Sequence, residues 1–116
     1  MRLPWWFPFG QVSEIGADDL TREHQGPNPP QLVDVRTVKE HRRGHVKGAT
    51  SAPIGSFARM LPALGLDKNR KVIAICLTGH RSIPAVRLLR RQGYDAAQLA
   101  GGMRSWRAAK LPEEKS

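Results

Sequence analysis

The sequence predicts an α/β domain with a parallel sheet covered by helices on both faces. Short apolar runs alternate with amphipathic segments along the chain, and parallel strands need such crossover connections. The 116 residues suffice for one packed core and are too few for two. We expect one domain over residues 11–111, preceded by an aromatic N-terminal segment (1–10) and followed by a mobile tail (112–116).

Each element follows from local patterns taken in chain order. A helix begins where acidic residues enter the first turn at Asp18 and Asp19, and others end at Gly44 and Gly93. Pro84 fits inside the helix after the fourth strand because the first turn needs no N–H donor there. The predicted strands are 11–15, 32–35, 49–52, 71–75 and 96–100, and the predicted helices are 17–23, 37–43, 55–64, 82–92 and 103–109.

Composition limits the class of function. The formal net charge of +9 comes from 19 Lys and Arg against 10 Asp and Glu. The basic residues are dispersed; Arg87, Arg90 and Arg91 share one helix face but carry no interleaved aromatics, which favours a solvated face over nucleic-acid binding. A positive field does concentrate small anions, so we expect an anionic substrate. One cysteine allows no internal disulfide, and the absence of a long apolar run or signal peptide predicts a cytoplasmic protein without stable membrane insertion.

Cys76 stands where the fourth strand runs into a loop and then a helix. Free backbone N–H groups and the helix dipole favour an anion at such a place, and Arg81 adds a positive charge. We therefore expect a thiol pKa below the free value of about 8.5. The alternative is a small buried hydrophobe. The Gly79, Arg81 and Ser82 that follow Cys76 favour a nucleophile.

A set of short motifs covering about residues 12–111 resembles the single-domain rhodaneses. Each is weak alone, but their order and spacing are specific. They are Leu32-Val33-Asp34-Val35-Arg36, Glu40, Gly44-His45-Val46-Lys47-Gly48-Ala49, Pro53-Ile54, Cys76-Leu77-Thr78-Gly79-His80-Arg81-Ser82, and Gly101-Gly102-Met103 with Trp106.

The resemblance implies a rhodanese-like three-layer domain with about five parallel strands. It also implies a sulfurtransferase in which Cys76 accepts sulfane sulfur from thiosulfate or a related donor, becomes a persulfide, and passes the sulfur to cyanide, a thiol or a protein. The anion-cradling loop would then be Leu77, Thr78, Gly79, His80, Arg81 and Ser82. Leu77 stands where many thiosulfate-using relatives carry a polar or basic side chain, which favours a bulkier donor or a protein persulfide.

Within this loop each residue type suggests a role. Gly79 allows a tight turn with positive φ. Arg81 either contributes charge to the bound anion or braces the loop on neighbouring carbonyl groups, and the two roles are weighted equally. Ser82 is predicted to cap the following helix rather than to act on the thiol. His80 lacks an Asp or Asn partner nearby in sequence, so we do not assign it as a general base.

Outside the loop the expected roles are structural. Asp34 is predicted to anchor the end of its strand through backbone N–H groups, and Arg36 to pair with Glu40 four residues on. His45 is expected to bond to backbone. His24 and His41 are expected on the surface. The four histidines and one cysteine show no metal-ligand spacing, so neither metal nor cofactor is predicted.

Two other functions remain open from the sequence. One is a catalytically idle rhodanese-like module that binds a partner or carries sulfur, although such modules often lack the cysteine. The other is a phosphatase or arsenate reductase, whose loops place five residues between Cys and Arg, whereas four residues (77–80) intervene here. The Trp5-Trp6-Phe7 segment lies outside the resemblance and is expected either to fold back over the domain or to contact a partner or a membrane surface.

Overall fold

The computed structural model describes residues 4–7 and 9–115, and within these ranges it contains a five-stranded sheet whose strands are all parallel. The strand order is β1-β5-β4-β2-β3. The strands are β1 (Glu14–Ile15), β2 (Gln31–Asp34), β3 (Thr50–Ser51), β4 (Val72–Ile75) and β5 (Ala96–Leu99), and the helices are α1 (Ala17–His24), α2 (Val38–Arg43), α3 (Phe57–Met60), α4 (Ser82–Arg91) and α5 (Gly102–Ala108). The predicted α/β architecture with flanking helices is confirmed.

The core lies on the two faces of the sheet. Side chains alternate along a strand, so Val72, Ala74 and Cys76 join one cluster with residues of α3 and α4. Ile73 and Ile75 join the second cluster, which contains Leu20 of α1 and Met103 and Trp106 of α5. The fully apolar pattern of β4 therefore reflects burial on both faces.

Three predicted elements differ from the structure, and one of them is the strand expected over 49–52, which is reduced to the two residues of β3. The strand expected over 11–15 is reduced to β1, at the edge of the sheet and paired only with β5. The helix expected over 55–64 is divided into a 3₁₀ turn (Ile54–Ser56), the single turn α3, and a second 3₁₀ turn (Leu61–Ala63). Pro62 lies within the second turn, where its missing N–H and fixed φ oppose a continuous α-helix.

The described part of the aromatic N-terminal segment folds back onto α4. Arg87 donates to the backbone oxygens of Phe7 and Phe9, and Trp5 packs against the cluster formed with α3 and α4. Arg90 donates to Ala96 O and to Ser13 Oγ. The α4 face that carries Arg87 and Arg90, which we predicted to be solvated, therefore binds backbone oxygens of the N-terminal segment and of β5. Residues 1–3 and 8 lie outside the described part.

The described residues of the C-terminal tail, which we expect to be mobile, contact the domain. Glu114 and His45 exchange backbone N–H···O bonds of 2.8 and 2.9 Å, and the Trp106 indole N–H donates to Pro112 O at 2.9 Å. These bonds hold residues 112–115 against the domain; Ser116 lies outside the described residues. None of the described helices is long and apolar enough to cross a membrane.

Candidate active site

Cys76 follows β4 directly, at the side of the sheet where the carboxyl ends of all the parallel strands lie. Asp34, at the end of β2, is the register partner of Ile75, so the residues after β2 and after β4 meet at this side. Cys76 is 1% exposed and belongs to the core cluster on the α4 side. Its thiol therefore lies at the base of the loop formed by residues 77–81, which leads into α4.

The Cys76 sulfur receives polar contacts from the loop and from the first turn of α4. The Gly79 N–H donates to Sγ at 2.9 Å, and Ser82 Oγ lies 3.4 Å from Sγ. Gly79 has φ +98°, a conformation that costs a glycine little. Burial raises the pKa of the thiol. However, hydrogen bonding with the Ser82 side chain and with the backbone N–H groups of Ser82, Gly79 and Thr78 outweighs burial and brings the pKa of Cys76 below its ordinary value.

Ser82 faces the thiol, which corrects the prediction that it caps α4. The residue before the helix is Arg81, and no side chain caps this terminus. The Ser82 hydroxyl instead donates to Oε1 of Gln98, and Gln98 Nε2 donates to a carboxylate oxygen of Glu14 at 2.8 Å. Gln98 is 4% exposed in β5. We did not single out this glutamine from the sequence, although a polar residue in an apolar strand pattern was an available signal.

Arg81 is paired with Glu40, forty-one residues earlier. Its Nη1 and Nη2 donate to the two oxygens of Glu40 at 2.6 and 2.9 Å, a bidentate ion pair. Hydrogen bonding to Arg81 lowers the pKa of Glu40 to about 2, despite an opposing effect of burial and with help from Thr37. The hydrogen bond to Glu40 is likewise the main cause that raises the pKa of Arg81, against burial, while the charge of Cys76 contributes less. Arg81 therefore braces the loop on a carboxylate instead of on carbonyl groups.

The expected Arg36–Glu40 pair is absent, because each residue has another partner. The buried Arg36 donates from Nε and Nη2 to the Asp34 carboxylate, with a closest distance of 2.7 Å, and from Nη2 to Gly44 O. Asp34 Oδ1 accepts the Arg36 N–H, one of the backbone bonds predicted for it. Glu40 is occupied by Arg81 and by a capping box with Thr37. Together these contacts fix both ends of α2, the helix that presents Glu40 to the loop.

The first residues of α5 support the loop from the other side. Met103 N–H donates to Cys76 O at 2.8 Å, and Arg104 N–H donates to Leu77 O at 3.0 Å. Gly102 has φ +59°, and a Cβ built on it would lie 2.3 Å from Cys76 O. The double glycine therefore permits the close approach of α5 to the loop. The Leu77 side chain is half-buried and packs against the cluster of α1 and α5.

The histidines have structural contacts. His45 Nδ1 is 2.7 Å from His41 O, as expected for a structural histidine. His41 was expected on the surface, but its ring stacks on that of His45 at 3.6 Å and its Nε2 contacts Ala49 O. His24 is also partly buried rather than on the surface. His80 is exposed and contacts Thr78 Oγ1. Within residues 4–7 and 9–115, no cluster of three or more His, Cys, Asp or Glu side chains could hold a metal ion.

Comparison with known proteins identifies the family and agrees with the fold. A family model described as "Rhodanese-like domain" matches residues 17–109. A protein named sulfurtransferase from Allochromatium vinosum is 30% identical over 87% of this chain and 94% of its own length. Bacillus subtilis YrkF, named for a sulfur-carrier role, is 27% identical over 82% of the chain, which spans about half (51%) of that relative. The crystal structure of a rhodanese-related protein from Thermoplasma volcanium superposes with a TM-score of 0.81, covering 90% of this chain and 100% of that one at 26% identity.

Proposed function

The chain belongs to the rhodanese-like domain family, and on that premise we propose that it is a sulfurtransferase that carries sulfane sulfur as a persulfide on Cys76. Relatives named sulfurtransferase or sulfur carrier support sulfur transfer in general. The main support for the proposal is the hydrogen bond from the Gly79 N–H to the Cys76 sulfur, at 2.9 Å, in a loop that lowers the pKa of the thiol. A thiol with a lowered pKa has a larger thiolate fraction at a given pH, and the thiolate is the nucleophile.

The chemistry takes two displacements at sulfur. With thiosulfate as donor, the Cys76 thiolate attacks the outer sulfur; the Sγ–S bond forms as the donor S–S bond breaks, and the electron pair leaves with sulfite. The negative charge passes from Sγ to the new terminal sulfur. An acceptor such as cyanide or a thiolate then attacks that terminal sulfur, and Sγ leaves as a thiolate. Backbone N–H groups already aimed at this point stabilise each anion without reorganising.

The loop residues supply different parts of this cycle. Gly79, Thr78 and Ser82 offer backbone N–H groups to the sulfur, and the Ser82 hydroxyl lies 3.4 Å from Sγ. Arg81, held by Glu40, fixes the loop in the conformation that aims these groups and keeps a positive charge beside the site. The donor is an anionic sulfane-sulfur compound such as thiosulfate, the acceptor is cyanide, a thiol or a protein thiol, and the place of action is the cytoplasm.

Intact-protein mass spectrometry tests the proposal. Incubation with thiosulfate should leave the chain heavier by one sulfur atom, and cyanide or a thiol should remove that mass. A second sulfane donor, such as a low-molecular-weight persulfide, covers the case in which thiosulfate is not the donor. If no donor adds sulfur to Cys76, the proposal is wrong and the idle interaction module is the better account.

A phosphatase or arsenate reductase activity has less support. Four residues separate Cys76 from Arg81, and the guanidinium of Arg81 is engaged on both Nη atoms by Glu40. A loop that binds a tetrahedral oxyanion needs the arginine fork for that anion. Hydrolysis of an aryl phosphate or reduction of arsenate by the purified chain would contradict this assignment.

A further inference from the structure

The Ser82 hydroxyl lies between two groups that compete for its single proton, the Cys76 sulfur and the Gln98 side-chain oxygen. We propose that Gln98 is a positioning residue that accepts a hydrogen bond from the Ser82 hydroxyl whenever the sulfur of Cys76 is uncharged. When that sulfur becomes an anion, the hydroxyl turns and donates its hydrogen bond to the sulfur instead. Ser82 is then a switch with two hydrogen-bonded positions. Glu14 sets the switch by fixing which end of the Gln98 amide faces Ser82.

The direction of each hydrogen bond follows from donor and acceptor chemistry. A carboxylate only accepts, so the 2.8 Å contact to Glu14 must come from the Gln98 NH₂ group. The Gln98 carbonyl oxygen then faces Ser82, and because that oxygen also only accepts, Ser82 must be the donor. A hydroxyl has one proton. In the arrangement observed, Ser82 can accept a bond from a protonated thiol but has no proton for a thiolate.

The surroundings favour such a competition. Ser82 is fully buried, and hence no bulk water replaces a partner that its hydroxyl loses. The hydrogen bonds run from Ser82 to Gln98 and from Gln98 to Glu14. Beside Glu14 lies a surface cavity of about 340 Å³, which is lined in part by Glu14, Gly79, Ile83 and Gln98. The charged groups around the sulfur are Glu14, reached through Gln98, and the Arg81–Glu40 pair with Asp34 beyond the loop.

The switch would match the charge changes of sulfur transfer, and this step rests on the proposed function. In the free thiolate the charge is on Sγ, where the Ser82 proton is most useful. Once the persulfide has formed, Sγ is a neutral bridging atom and the charge lies on the terminal sulfur, so the Ser82 hydroxyl again donates its hydrogen bond to Gln98. Gln98 therefore favours both the thiol and the persulfide over the free thiolate, and it stabilises the loaded persulfide relative to the thiolate from which that persulfide forms.

Ultraviolet titration of the thiolate tests the inference without any sulfur donor. Gln98→Leu removes the competing acceptor, so Ser82 should donate to the thiolate permanently. The thiolate fraction at a fixed pH below the midpoint of the titration should rise by about five- to tenfold, the effect of the one neutral hydrogen bond, from Ser82 to Gln98, that the wild type must break when the thiolate forms. The matched control repeats the substitution in a Ser82→Ala background, where it should change the titration little.

The comparison between the two backgrounds decides the outcome. No rise after Gln98→Leu, or an equal rise with and without the Ser82 hydroxyl, would overturn the inference. If Gln98→Leu fails to fold, Glu14→Gln at the exposed edge gives the same test. It frees the Gln98 amide to turn and should produce a smaller rise that also requires Ser82; a rise of equal size in the Ser82→Ala background would be a charge effect and would overturn the inference. Failure of sulfur loading leaves this titration unaffected, so the two proposals fail separately.

Discussion

Gly102 lies so close to the Cys76 carbonyl oxygen that a Cβ on it would be 2.3 Å away. The next residue, Met103, donates its N–H to that same oxygen at 2.8 Å. The start of α5 and the start of the active-site loop are therefore packed backbone against backbone, and the position of Cys76 depends on a residue twenty-six positions later.

Substitution of this glycine should displace the loop. In Gly102→Ala the new methyl group meets backbone atoms of Cys76 and Leu77, and φ of +59° is unfavourable for alanine. We expect a loss of more than about 2 kcal/mol in the free energy of unfolding, together with reduced sulfur loading. Chemical denaturation measures the stability. Gly55→Ala is the control, since no atom lies within 4 Å of its Cβ position; equal effects of the two substitutions would contradict the account.

Replacement of the thiol should remove activity and spare the fold. In Cys76→Ser the hydroxyl can accept the Gly79 N–H bond and contact Ser82, so the buried site stays satisfied. An alcohol of much higher pKa forms no persulfide. We expect an unfolding transition close to that of the wild type and no added sulfur in the mass spectrum. Retained turnover would show that the nucleophile lies elsewhere.

Arg81 should act through the geometry of its pair with Glu40. Arg81→Ala is expected to slow sulfur transfer by about ten- to a hundredfold, equivalent to about 1 to 3 kcal/mol. Arg81→Lys should recover little, because an ammonium cannot form both bonds to the Glu40 carboxylate. Turnover is measured beside the pH dependence of Cys76 alkylation in the three proteins.

Glu40→Gln completes this comparison, because it retains the guanidinium and removes the carboxylate that orients it. We expect it to show part of the loss seen in Arg81→Ala. Recovery of most of the activity by Arg81→Lys, or full activity in Glu40→Gln, would assign Arg81 a role as a point charge alone.

The Glu40–Arg81 pair also predicts a pH dependence of stability. The pKa of Glu40 is lowered in the folded state from 4.5 to about 2. A lowered carboxyl pKa stabilises the fold above the unfolded value, and this contribution is lost as the pH falls from about 4.5 towards 2. Since both side chains are about one-third exposed, solvent screening limits the contribution to about 1 kcal/mol.

Urea unfolding of the wild type and of Glu40→Gln measures this contribution. The difference in stability between the two proteins should be largest near neutral pH and should shrink below pH of about 4.5. A difference that stays constant down to the acid limit would show that the carboxylate charge contributes nothing.

Local sequence patterns were sufficient for the parts of the fold and site that depend on neighbouring residues. The apolar run before Cys76 predicted β4, and Gly79 predicted the positive φ that aims its N–H at the sulfur. Glu40 and Arg81 are brought together only by the adjacency of β2 and β4 in the sheet. A spacing of four residues therefore suggested the wrong partner, Arg36, for Glu40.

The orientation of Ser82 was unpredictable for a related reason. Serine at the start of a helix usually caps it, but here the cap position is one residue earlier, at Arg81. The side chain thus turns inward to Gln98, which comes from β5, the neighbour of β4 in the sheet. Local rules describe what a residue prefers, whereas the sheet order decides which partner is within reach.

Cys76 has a lowered thiol pKa but is too deeply buried for a second protein to reach its sulfur. A disulfide between two copies of the chain would require their Cβ atoms to approach within about 4.5 Å, and a cysteine residue that is 1% exposed cannot make that approach while the loop keeps its conformation. The protein should therefore resist covalent dimerisation under oxidising conditions even though its one thiol is activated. In the sulfur exchange with another protein that we propose, only a sulfur carried about 2 Å beyond Sγ would extend towards the partner, so the transferred atom, and not the cysteine that holds it, would make the contact.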